Sequence, residues 1–330
     1  MRHTLTLISS LVLLILTSVF IAASATGEIN VRAEGQAERG FFNKGKGPEL
    51  PEDFVGDRNG FLKIPLPEGV GEESVSVVND IYGNNVIVSI RGTDEDFYKK
   101  NFFSGDMTNI DDVRYGYSDG TSVVELKTDR ISVPVMEFSK GNLYIKVADP
   151  HSVYDRIIVV DAGHGGSDPG SVVYGVEEKD ITSAIAERLK DLIGSGDKNY
   201  AVYLSAKEDT DASEEEREAF ADKISADLII SLHTGADPDS RVTNGVGINT
   251  TPELKDRAAK LCTSLAGACG QQDLGVSTER VPGVTENTEI PFFRIRLGYI
   301  TNKYEAEKMN SRDYQDKAAE KIASFVNENE

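Results

Sequence analysis

Histidine is scarce in this chain of 330 residues: His3, His151, His164 and His233 are all there are. Two of them share a setting. His164 closes the run "IIVVDAGH" and His233 closes "LIISLH". Each run reads as a buried strand of a parallel sheet. Both imidazoles are therefore expected at strand carboxyl ends, where open α/β sheets place their ligands. A lone histidine there is usually a satisfied polar residue, but two at equivalent strand ends suggest joint work. Glu177 and Glu178, in "GVEEKDITSAI", open the helix that follows the first of these strands. Acids at a helix start are also favoured by its dipole. Two histidines, one carboxylate and an open fourth position form a catalytic zinc set, suited to activating a water.

A second feature is "PFFRIRLGYITN", from Pro291 to Asn302. Its apolar residues predict a buried strand, yet Arg294 and Arg296 are two apart and so share one face of it. A guanidinium keeps its proton, and burying it unpaired is costly. That face must therefore offer these arginines a partner or an opening. Cys262 and Cys269 lie seven apart in "KLCTSLAGACG". On a helix they share a face but sit about 10 Å apart along it, too far for a disulfide; two small buried residues are expected. "HGGSDPG" lacks the setting of a serine nucleophile elbow. "GKG" at Gly45–Gly47 lacks the strand and helix of a phosphate loop.

The elements that must position these residues begin near residue 153. "RIIVVDAGH" is followed by a helix with Ile181, Ala184, Ile185, Leu189 and Ile193 at helical spacing. Strand "YAVYLSA", helix "EEEREAFADKISA", strands "DLIISLH" and "NGVGINTT", helix "ELKDRAAKLCTSLAGA", strand "FFRIRLGYI" and helix "YQDKAAEKIASFV" complete the chain. This alternation predicts an α/β domain over 153–330, a mainly parallel sheet flanked by helices. Ahead of it, 56–152 carries short β-type runs such as "NNVIVSIRG" and "NLYIKVAD", parted by turn residues. It reads as a small β-rich domain with no catalytic constellation. Residues 26–55, rich in Gly, Glu, Lys and Asn, read as a linker. Residues 1–25 have a basic start, a long apolar run and Ala23-Ser24-Ala25, the pattern of an export signal cleaved after Ala25. Left uncleaved, the run from Thr4 to Ala25 is long enough to anchor in a bilayer.

Net charge is −20, from 55 acidic and 35 basic residues. This argues against nucleic acid as a partner and against loose adhesion to anionic surfaces.

The motifs "VVDAGHGGSDPG", "EEKDITSAIAERLKDLI" and "REAFADKISADLIISLHTGAD" recur in this order in another group of proteins. From about Arg156 to the C-terminus the chain resembles the zinc-dependent N-acetylmuramoyl-L-alanine amidases, which cut bacterial peptidoglycan. Arg217, Ala221, Ala226, Asp227, Ser231 and His233 fall in the family register, as does the closing "GYITN…SRDYQDKAAEKIASFV". The resemblance implies Zn2+ as cofactor, held by His164, Glu178 and His233; Glu178 is selected over Glu177 because it directly precedes Lys179. It implies peptidoglycan as substrate and partner, with cell-envelope proteins as further partners. It also implies an exported protein: extracellular, periplasmic or wall-associated. The β-rich domain resembles wall-docking domains of such enzymes. One departure stands out. The family's acid/base glutamate, counted back from Gly298-Tyr299-Ile300-Thr301-Asn302, falls on Arg296, which is thereby expected to face the metal site with Arg294 beside it. The family often has Asn where this chain has Gly235. A base from elsewhere would be sought at Glu289 or Glu286 in "GVTENTEIPFF". The alternative is an impaired amidase-fold protein that binds peptidoglycan or regulates another wall hydrolase.

Overall fold

The computed structural model describes residues 60–279 and 288–329, together with the backbone of two short antiparallel strands, Ser18–Ala23 and Ile29–Glu34. The rest of the expected export segment and linker lies outside the described residues, as does Glu286. The chain divides into two compact units, Met1–Val153 and Tyr154–Glu330.

In the first unit, alternating short strands build two four-stranded sheets. One runs Ser104–Gly105, Leu62–Pro65, Asn142–Ala148, Val133–Ser139; the other runs Val75–Asp80, Asn85–Arg91, Thr121–Thr128, Ile110–Ser118. Every pairing is antiparallel. Alternation places Leu62, Ile64, Val86, Val88, Ile90, Leu143 and Ile145 in one buried cluster. The helix expected in "EDFYKKNFF" is a single turn, Phe97–Lys100.

The second unit is a six-stranded sheet with helices. Its strands are β1 (Arg156–Ala162), β2 (Tyr200–Leu204), β3 (Leu228–Gly235), β4 (Val246–Thr250), β5 (Asp273–Ser277) and β6 (Phe292–Tyr299), in the spatial order β2-β1-β3-β6-β4-β5. The four strands β2, β1, β3 and β6 are parallel. The outer pair, parallel to each other, joins β6 antiparallel. The helices are α1 (Glu178–Gly194), α2 (Glu214–Lys223), α3 (Lys255–Cys269), α4 (Lys303–Met309) and α5 (Arg312–Asn329).

Strand parity decides what each face carries. Ile158 and Val160, Ile230 and Leu232, and Phe293, Ile295 and Leu297 point to one face. There they meet the apolar stripes of α1 (Ile181, Ile185, Leu189), α3 (Ala258, Leu261, Leu265) and α5 (Ala318, Ile322, Val326) in one core. The intervening residues Asp161, Ser231, His233, Arg294 and Arg296 point to the other face. Both cysteines are free and buried in α3. Strand β5 was not anticipated: Asp273, Leu274 and Gly275 are exposed and carry no alternation that would announce a strand.

Ile295 is fully buried at the centre of this core. Ile295→Ala should lower unfolding free energy by about 2–5 kcal/mol, read from the denaturant midpoint of the second unit's transition.

Candidate metal centre

Three side chains, Asp161, Arg217 and Thr182, hold the end of β1. Asp161, 1% exposed, accepts hydrogen bonds from Ser205 Oγ (2.6 Å), Ser231 Oγ (2.8 Å) and Arg217 Nη1 (3.2 Å). Arg217, itself buried on α2, donates onward to the carbonyls of Ala162 (2.6 Å) and His164 (2.6 Å), and from Nε to Ala212 (3.0 Å). Thr182 Oγ1 on α1 donates to the Gly163 carbonyl (2.8 Å). Helix α2 starts at a capping box between Ser213 and Glu216, which sets where Arg217 emerges. Burial pushes the Asp161 carboxyl up, but the Arg217 charge, His233 and the two serine hydroxyls outweigh it and hold the group below its usual range.

This scaffold supports His164 in a left-handed backbone conformation, φ +69°. For a non-glycine residue that is strained by about 1–3 kcal/mol and persists because its carbonyl is clamped. His164 Nδ1 lies 2.7 Å from Asp168 Oδ2, a pairing that fixes the ring and turns Nε2 inward. His233 comes from β3 and packs over Gly163. A Cβ at Gly163 would lie 2.4 Å from His233 Cε1, so only glycine leaves the imidazole its place. The two rings meet edge to face, centroids 5.5 Å apart.

Glu178, the first residue of α1 and 3% exposed, lies between them. Its Oε2 is 3.4 Å from His164 Nε2 and its Oε1 is 3.5 Å from His233 Nδ1. It also accepts the N–H groups of Ser171 (3.2 Å) and Thr234 (2.7 Å). One potential ligand atom from each of His164, Glu178 and His233 falls within 4.8 Å of the others. That donor set, two imidazoles and one carboxylate, fits a divalent transition metal. Burial alone would raise the Glu178 carboxyl, but both histidines and the Thr234 N–H hold it well below the usual carboxylate range. His164 is raised to about 9, chiefly by its bond to Glu178, against burial and with help from Asp168. Without an ion, a proton thus occupies the negative site.

Glu177 turns outward, 4.0 Å from Lys179 Nζ. His151 is exposed in a short turn. Arg294 pairs in register with Ser231, and Arg296 with His233, so both arginines share the face of the second metal-binding candidate. Arg296 Cζ stacks 5.0 Å from the Tyr299 ring centroid. Its Nη2 lies over Gly247 of β4, where a Cβ would be 2.7 Å away. The guanidinium therefore leans to the strand on the far side from His233. Glu289 is not brought to the cluster. It is exposed and precedes β6, whose first residue is about 13 Å of strand before Arg296. Sequence reasoning gave no role to Asp168 or to the Asp161–Arg217 pair. An acid four residues after His164, inside a glycine-rich turn, was the available signal for Asp168.

Three outcomes follow from this geometry. Gly163→Ala, whose Cβ would meet His233 and also the Leu232 carbonyl at 2.8 Å, should weaken zinc binding about 10–100-fold, measured by competition with a chelating dye. Zinc affinity of the wild-type protein should fall by about tenfold per pH unit below pH 9, since each ion must displace the His164 proton. Arg217→Met leaves the Asp161 charge buried and unpaired, and should cost about 3–5 kcal/mol in chemical denaturation.

The family profile described as N-acetylmuramoyl-L-alanine amidase matches residues 158–328. The Bacillus subtilis protein YqiI is 30% identical over 188 residues, spanning 55% of this chain and 87% of that protein. N-acetylmuramoyl-L-alanine amidase LytC of the same organism is 32% identical over 175 residues, 52% of this chain but 34% of LytC. Among solved structures, the N-acetylmuramoyl-L-alanine amidase of Clostridium difficile 630 aligns with a TM-score of 0.49 at 26% identity, over 52% of this chain and 95% of that one. The matched profile covers more than half of the sequence and contains His164, Glu178 and His233 in full: the chain belongs to the N-acetylmuramoyl-L-alanine amidase family.

Proposed function

We propose that the protein is a zinc-dependent hydrolase of the amide between N-acetylmuramic acid and L-alanine in peptidoglycan. The observation that carries this reading is the convergence of His164, Glu178 and His233 at strand carboxyl ends, within the segment that matches the family. His164 Nε2, His233 Nδ1 and a Glu178 oxygen would hold the ion, leaving a position open. When bound, zinc supplies Lewis acidity, polarising the scissile carbonyl and bringing the pKa of a water to about 7. The protein's part is positional. Asp168 fixes the His164 tautomer, Arg217 holds the backbone on either side of Gly163 and Thr182 holds Gly163 itself, and the Ser171 and Thr234 amides keep Glu178 ionised.

Proton transfer is the weak link. Among the described residues the cluster contains no second carboxylate. Arg296 stands beside His233 in register, and a guanidinium cannot act as a base. A site without a positioned acid/base is slower by about 10²–10⁴-fold, so slow turnover is expected. The substrate lies outside the cytoplasmic membrane, which agrees with the export pattern of residues 1–25; the β-rich unit then serves as a docking module on the wall.

The test is release of new L-alanine amino termini from purified peptidoglycan, with zinc and with a chelator. Zinc-dependent release at a low rate is expected, and Arg296→Glu should raise it by about tenfold at saturating substrate. No release by folded, zinc-loaded protein, before or after that substitution, would replace hydrolysis with peptidoglycan binding or regulation of another hydrolase.

A further inference from the structure

Arg296 is half-buried in the middle of a sheet, and its Nε is enclosed with no hydrogen-bond partner among the described residues. The surrounding residues are shaped to it. A Cβ at Gly235 would lie 2.7 Å from Arg296 Cδ, and one at Gly247 would lie 2.7 Å from Nη2. Tyr299 stacks on the guanidinium at 5.0 Å, a contact that favours a cation. Two absent side chains and one ring thus make a slot for this arginine. Yet among the described residues no acid pairs with it: the slot is built of glycine backbone and an aromatic face. A planar cation with free donors is suited to a carboxylate held by paired hydrogen bonds.

Position decides which anion. Adjacent strands are about 4.8 Å apart, and the guanidinium leans over β4, away from β3 and His233. An oxyanion formed at the metal centre would need donors at about 2.7–3.1 Å, which a group displaced toward the far strand does not offer. A peptide advances about 3.3–3.6 Å per residue. A carboxylate one or two residues beyond the scissile amide would therefore reach Arg296 while the amide sits at the cluster.

We propose that Arg296 is a specificity-determining residue that binds a free carboxylate on the peptide moiety of the substrate. This rests on the cluster being an amidase site, but the test does not depend on turnover. The full-length protein, metal-free and zinc-loaded, is titrated calorimetrically with N-acetylmuramoyl-L-alanyl-D-glutamate and with its diamide. The metal-free arm excludes cleavage. The wild type should bind the diacid at least about tenfold more tightly than the diamide. Arg296→Met should abolish that preference. Gly247→Ala, which keeps the charge but crowds Nη2, should reduce it, and decides the matter if Arg296→Met fails to fold. Equal affinity for the two ligands in the wild type, no binding of either, or a preference that survives both substitutions would overturn the proposal. A carboxylate preference without any peptidoglycan hydrolysis would leave it standing and defeat the hydrolase reading instead.

Discussion

A single buried ion pair underlies the candidate metal centre. Asp161 and Arg217 are both nearly inaccessible and bonded 3.2 Å apart. Burying two charges gains little stability by itself. Here the pair's remaining donors and acceptors are spent on the backbone of Ala162 and His164 and on the hydroxyls of Ser231 in β3 and Ser205 just past β2. It ties β1, β3, the end of β2 and helix α2 to one point. The strained His164 conformation, and through it the placement of Nε2, follows from that anchorage.

The cluster itself depends on three separate chain segments. His164 follows a strand, Glu178 begins a helix, and His233 lies two residues from the end of a second strand. Parallel neighbours β1 and β3 bring the two histidines to the same edge, and Glu178 arrives because the intervening connection returns α1 to the same edge. The carboxylate is kept charged by the two histidines and the Thr234 amide, so it is ionised before any ion enters.

Much of this was legible in the sequence. The apolar runs ending in His164 and His233, and the helical spacing from Ile181 to Ile193, sufficed for the α/β order and for which residues meet. Glu178 could be separated from Glu177 only through family likeness, because either acid suits a helix start. Strand β5 escaped notice because an exposed edge strand containing Gly275 has no apolar alternation. The lean of Arg296 was illegible for a different reason. Register told which face it occupies, but its direction along the sheet is set by the missing side chains at Gly235 and Gly247, on two strands that no local pattern links. Glu289 looked close because it is seven positions from Arg296 in sequence; an extended strand carries such residues apart rather than keeping them together.

The fit of Arg296 against Gly235 also imposes an order on change. A side chain at position 235 would meet Arg296 Cδ at 2.7 Å and the Tyr299 ring at 2.9 Å, so a larger residue there requires both neighbours to give way. The reverse path is open: a shorter residue at 296 leaves space that Gly235 does not need to fill. Change at this site therefore begins more easily at 296 than at 235.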